Sequence, residues 1–267
     1  MKHLMISSFI FFFLCVGGYG QNSSQKNLPD FFKYWLESPE YIYGKVKEIH
    51  IKSFDGVETD GEFVEMGIVI SNSNYAQNAT YFFNNAGQLI QCELKNLMGD
   101  WTGVFSYKDD ALKSVNWLLD NVYQYHWDYT YVEDENLEIT YLNVLTGEES
   151  GVDKLVLDQN GFFIEKPSPG NNKRTDVFER KNDGTITDKK TISQDGKIYS
   201  HFDKWEYDDH NNKLEVHRAV LQGNKVNLYG ISRTYEYDEK GNWIKQTTIN
   251  PANNNIRIVE RSFVFYE

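Results

Sequence analysis

The chain has 267 residues, a formal charge of −12 at pH 7, and aromatic side chains at 15% of positions. An acidic chain whose charge is scattered, with no basic cluster, excludes nucleic acid and anionic membrane surfaces as natural partners. Tyr predominates among the aromatics, which suits strands with half-wet faces, and residues 21–267 suffice for one large β domain or two small domains.

Residues 1–20 read as a secretory signal peptide. Lys2 is basic, Leu4 to Val16 is apolar, and Gly18-Tyr19-Gly20 supplies small residues before a cut at Gln21. Acylation at Cys15 is rejected because Leu14 stands where a small residue is needed. No other long apolar run exists, so no transmembrane anchor is expected. Cys92 is then the lone thiol; no internal disulfide is expected, and a buried apolar role fits Cys92 better than a nucleophilic one.

Residues 21–28 are polar and read as a disordered linker, with a β-hairpin-repeat domain over 29–267. Pro29 opens a short helix in which Phe31, Phe32, Trp35 and Leu36 share a side. Gly44 to Ser53 alternates as a strand, with Ile49 and Ile51 competing beside Val46 for the core face, and Phe63 to Ser71 is the next strand. Asp109 or Asp110 caps a second helix over Asp110–Tyr123, since Leu112, Val115, Leu118, Leu119 and Val122 fall at helical spacing. A subdivision near Tyr125 is possible, and Pro167 to Lys173 is either a boundary or a long hairpin loop.

Tyr235 to Ile249 is the clearest unit. Tyr235 and Tyr237 alternate with Glu236, Asp238 to Gly241 spells a bulged turn, and the turn sets Tyr237 opposite Trp243. Weaker copies surround Gly87, Gly161, Gly184 and Asn212, with a looser one near Asn136. The first gap, between 87 and 136, is of double length and is filled by the expected helix. The fold class is therefore mainly antiparallel β. A meander of hairpins forms an extended twisted sheet or an open barrel, with one or two short covering helices.

Candidate chemistry is sparse. His201 and Asp203 share a strand face, and with His210 and His217 they would make a metal site only if register brought them together. Turn chemistry explains Asp158 to Gly161 and Asp238 to Gly241 better than calcium loops do. The carboxylate clusters at Asp109–Asp110, Glu133–Glu135 and Glu148–Glu149 read as solvated turn residues rather than acid/base pairs. No cofactor and no metal are expected. The main ambiguity is an aromatic row: Tyr125, Trp127, Tyr129 and Tyr131 fall on one strand face. Buried, the row is core packing; exposed, it is a stacking platform for a glycan or a small ligand.

Y-x-Y-D-x-x-G-N-W-I at Tyr235 to Ile244 resembles the YD (RHS-type) repeat of bacterial secreted and surface proteins. With Gly44-Lys45-Val46-Lys47-Glu48-Ile49, it is also similar to a group of uncharacterised secreted bacterial proteins. The resemblance implies hairpin architecture and a secreted or periplasmic location. It makes Tyr235, Tyr237, Asp238, Gly241 and Trp243 framework residues. Long YD-repeat proteins spiral into a hollow shell around a toxic C-terminal domain. About seven units are too few for such a shell, so encapsulation is not implied. The expected function is non-catalytic contact with a protein partner at the cell envelope, through a sheet face or edge. The alternative is glycan or small-ligand binding on the aromatic row. Asn22 and Asn78 begin N-x-Ser/Thr matches, which would matter only in a eukaryotic secretory pathway.

Overall fold

The computed structural model describes residues 42–68, 78–96, 99–132, 136–159, 162–167, 174–182, 184–210, 212–222, 225–251 and 253–267. The expected signal segment, the polar linker and the helix around Phe31 lie outside the described residues, as do Gly161, Asn211 and the cluster at Glu133–Glu135. Alternation governs nearly all of the rest. The first nine strands are β1 (Val46–Thr59), β2 (Glu62–Ile68), β3 (Asn78–Phe83), β4 (Leu89–Asn96), β5 (Gly99–Lys108), β6 (Ala111–Leu119), β7 (Val122–Val132), β8 (Asn136–Asn143) and β9 (Glu148–Leu157). The other eight are β10 (Phe163–Pro167), β11 (Arg174–Arg180), β12 (Ile186–Ser193), β13 (Ile198–Tyr207), β14 (Lys213–Gln222), β15 (Lys225–Tyr237), β16 (Trp243–Asn250) and β17 (Asn255–Phe265).

All pairings are antiparallel, and from β3 to β17 each strand pairs with the next. β1 joins the two ends of this meander. Glu48 to Lys52 pair with Phe82 to Asn78 of β3, and the same residues pair with β17, where Ile49 faces Phe263 and Ile51 faces Arg261. The result is a barrel-like antiparallel sheet of seventeen strands, closed by the first strand rather than by the number of hairpins. β2 folds back on the far half of β1 through Asp60–Gly61.

The expected helix over Asp110–Tyr123 is instead two strands, and no helix occurs among the described residues. β6 and β7 meet at Asp120–Asn121, and β5 and β6 at Asp109–Asp110; all four residues have positive φ, as two-residue hairpin turns of the primed type require. A bulge explains the misleading spacing. Ser106 pairs with Ser114 but Tyr107 pairs with Leu112, so Lys113 is an extra residue. The inward positions become Leu112, Val115 and Trp117, and the first step of three imitates a helical repeat. This hairpin also fills the double-length gap in the turn series. A second bulge, between Val46 and Glu48, settles the competition on β1: Val46, Ile49 and Ile51 are all buried.

The repeated turn has a definite chemistry. The Asp238 N–H donates to the Asn242 carbonyl at 2.8 Å, and the Gly241 N–H donates to the Asp238 carbonyl at 3.0 Å. Asp238 Oδ1 accepts from the N–H groups of Lys240 and Asn242 at 2.9 and 2.8 Å. Gly241 holds φ +88, where a side chain is strained. Asp208 binds the N–H groups of His210 and Asn212 likewise, and Asn84 those of Ala86 and Gln88. Asp158 Oδ1 accepts from the Phe162 N–H at 2.9 Å in the same way. Tyr237 lies opposite Trp243, as expected.

Three tyrosines then tie one turn to a preceding one. The Tyr237 hydroxyl donates to Asp208 Oδ2 and accepts from Asn212 Nδ2 at 2.9 Å. The Tyr207 hydroxyl exchanges hydrogen bonds with the N–H and carbonyl of Ile186, both at 2.9 Å. Tyr107 donates to the Leu89 carbonyl at 2.9 Å. The core is continuous, and densest over β3 to β9. There Phe105, Trp117, Trp127 and Tyr141 meet ring to ring across β5 to β8, with centroids 5.2–6.3 Å apart. Gly103 on β5 has no room for a side chain, because a Cβ there would lie 2.9 Å from both Cys92 Sγ and the Trp117 ring.

Trp117→Ala empties the middle of this ladder and is expected to cost about 3–5 kcal/mol, lowering the thermal midpoint by roughly 10 °C. Tyr237→Phe removes only the inter-turn hydrogen bonds, and a loss of about 1–2 kcal/mol in denaturant titration is expected.

Candidate functional site

β7 presents the aromatic row as alternation requires, but the row is not a platform. Trp127 and Tyr129 are 3% and 1% exposed and belong to the core, Tyr125 packs partly buried against it, and only Tyr131 reaches the surface, at 41%. Tyr125 stacks on Trp101 with centroids 6.3 Å apart. The inner pair is therefore out of a ligand's reach, and a stacking surface made of all four rings does not exist.

The remaining sequence candidates separate. Cys92 is fully buried, and burial, before any other influence, pushes its thiol well above the ordinary range. His201 Nε2 lies 2.5 Å from Asp188, His217 Nε2 lies 3.2 Å from Glu215, and His210 stacks on Tyr237 with centroids 4.1 Å apart. The side chain of Asp203 lies outside the described part. Among the described residues, no three His, Cys, Asp or Glu side chains converge as metal ligands would. Asp109 and Asp110 are exposed turn residues, and Glu148 and Glu149 are exposed strand residues at the start of β9.

What the structure assembles instead is a polar half of the interior. On β11 to β13, Asp176 and Lys189 are buried as an ion pair with 3.3 Å between Nζ and Oδ2. Thr191 donates to Asp176 at 2.8 Å, Ser200 donates to Thr191 at 2.8 Å, and the Lys189 ammonium lies 5.1–5.2 Å from the Phe178 and Phe202 ring centroids. On β17, the Arg261 guanidinium rests 3.3 Å from the Trp243 ring centroid, and Arg257 donates to Ser53 Oγ at 3.2 Å. Charge also enters on β9, where Tyr141 donates to Asp153 at 2.8 Å and burial raises the Asp153 carboxyl above its usual range.

The rim opposite the Tyr–Asp turns carries a different feature. The turn before β7 and the turn after β8 are neighbours, joined by the Val144 N–H donating to the Gln124 carbonyl at 2.9 Å. Together they expose Val122 (53%), Tyr123 (52%), Val144 (41%) and Leu145 (63%), flanked by Asp120, Glu148 and Glu149. Sequence reasoning missed this patch by placing Val122 and Tyr123 at the end of a helix; the left-handed Asp120–Asn121 pair was the available signal. At the other rim a concave opening of about 780 Å³ is lined by Lys45, Lys47, Asn85, Val264 and the residues from Phe265 to Glu267. The Lys240 ammonium lies 3.6 Å from the Phe265 ring centroid there.

No family model matches the chain, and no curated protein matches it. Among solved structures it is similar to a porin-like protein from Bacteroides uniformis ATCC 8492, with TM-score 0.36 and 13% identity over 84% of this chain and 100% of that one. A porin-like protein from Bacteroides vulgatus ATCC 8482 gives TM-score 0.34 and 10% identity over 82% and 98%. A DUF1329 family protein from Desulfovibrio piger ATCC 29098 gives 0.27 and 10% over 81% and 84%. At such TM-scores the likeness decides nothing about this chain.

The outer trio of Asp188, Lys190 and His201 sets an acid dependence. Burial raises the Asp188 carboxyl, but hydrogen bonds from Lys190 and His201 outweigh it, and the net position is below the ordinary range. A depressed carboxyl stabilises the fold above the unfolded value, near pH 4, and that contribution is lost as pH falls through the folded value. Asp188→Asn is accordingly expected to unfold more easily than wild type at neutral pH. The two thermal midpoints should converge as the pH is lowered below about 4.

Proposed function

We propose that this is a non-catalytic protein of the bacterial cell envelope, secreted or periplasmic, that works by holding a protein partner. The observation that carries the reading is the apolar patch of Val122, Tyr123, Val144 and Leu145. Contiguous exposed apolar residues with a charged border are the usual form of a protein contact, whereas single exposed ones mean little. Tyr123 adds a rigid amphipathic ring of the kind that anchors such contacts.

The outer wall supports an aqueous setting. Lys154 and Glu138 pair at 2.7 Å, and His126 and Asp128 at 3.2 Å, on the outside of β7 to β9. A barrel in lipid needs an apolar outer band, and charged pairs at that height oppose one. No helix among the described residues is long and apolar enough to cross a membrane. The YD-repeat resemblance adds secretion, with Tyr237 as a framework residue whose hydroxyl ties neighbouring turns. Glycan binding on the aromatic row loses its surface through the burial of Trp127 and Tyr129.

Chemical crosslinking in native envelope preparations, followed by capture of residues 21–267, tests the reading. Tyr123→Asp and Leu145→Asp change exposed side chains and should leave the unfolding free energy within about 0.5 kcal/mol of wild type. Loss of one crosslinked protein, at least tenfold, from both variants is expected. An unchanged set of captured proteins would remove the patch as the contact.

A further inference from the structure

Inside the barrel, register lines up a second feature that the patch does not use. On β17, Val259 and Arg261 are buried, so alternation turns Arg257 to the same inner face. Thr248 of β16 pairs with Arg257, and Arg233 of β15 pairs with Thr248. One step along the same strands, the Gln246 amide donates to the Tyr235 hydroxyl at 2.9 Å, which places both rows on one face. Arg233, Thr248 and Arg257 therefore stand side by side on three adjacent strands. With strands ~4.8 Å apart, two guanidinium-bearing positions flank one hydroxyl at a separation of roughly 10 Å. Both side chains are long enough to meet over that hydroxyl.

The fold elsewhere supplies its interior cations with local partners. Lys189 has Asp176 and two aromatic rings, Arg261 has the Trp243 face, and Arg180 donates to the carbonyls of Phe163 and Gly184 at 3.1 and 2.7 Å. The Arg233 Nη1 is buried and has no hydrogen-bond partner. A buried guanidinium nitrogen without an acceptor is costly, and the expected acceptor is an anion that matches the planar fork. Asp55 continues the row on β1 beside Arg257, but it is exposed and one strand further from Arg233.

We propose that the inner face of β15 to β17 binds a small oxyanion, held by Arg233 and Arg257 with the Thr248 hydroxyl between them. Arginine forks recognise carboxylate and phosphate alike, so the shared chemistry is a tetrahedral or planar oxyanion group, free or borne on a small molecule.

The test is the thermal midpoint of residues 21–267 in sodium phosphate, sodium sulfate or sodium acetate, each against sodium chloride at matched ionic strength. Wild type should rise with at least one oxyanion by several degrees more than with chloride, saturating with concentration. The arm that saturates lowest separates a phosphate-like from a carboxylate ligand. Arg233→Gln should abolish the excess rise, and without oxyanion it should melt no lower than wild type, since the Nη1 it removes makes no hydrogen bond. Thr248→Val should weaken binding at least threefold and serves in its place if Arg233→Gln does not fold. Equal rises in all four salts, or an oxyanion response retained by the variants, would overturn the proposal.

Discussion

Everything in this molecule depends on β1 pairing on both of its sides. Sixteen strands after it could have remained a curved ribbon with two open edges, each a row of unpaired amides. By taking β3 on one side and β17 on the other, β1 turns the ribbon into a ring, and inside then differs from outside. The inner face has to be filled, and the aromatic ladder of β5 to β8 lies in one half of it. The other half is filled with cations, aromatic faces and hydroxyls. The barrel is thus apolar on one side of its interior and polar on the other.

Much of the local architecture was legible. An Asp or Asn four residues before a residue of any type, with Gly between, spells the turn, because its side chain caps two amides that the bulge leaves over. The pairing of Tyr237 with Trp243 followed from that turn alone. What misled was the bulge. An inserted residue changes a period of two into a step of three, and Leu112 to Val115 then looks helical. The same device on β1 makes Ile49 and Ile51 compatible with Val46, where strict alternation had forced a choice.

The candidate sites were legible to a lesser degree. The aromatic row was read correctly as one face of a strand, but periodicity does not say whether a face points into a ring or out of it. Arg233 was readable as a residue on the Tyr235 and Tyr237 face. Its alignment with Arg257 depends on the register of β15, β16 and β17 together, and no local pattern carries that. Closure itself has no sequence signal either, since the strands that meet are separated by almost the whole chain.

That separation has a consequence in time. Most of the contacts here are between consecutive strands and cost little chain entropy to form, so hairpins can assemble as soon as they exist. The contact between β1 and β17 is of another kind: Arg257 donates to Ser53 Oγ at 3.2 Å across 204 residues of sequence. Until β17 arrives, β1 and the growing end of the meander both present open edges, and the aromatic half of the interior is wet on one side. A chain delivered N-terminus first would spend that interval as its most aggregation-prone species. The last strand is thus the latch of the ring, since closure joins strands that lie at opposite ends of the chain.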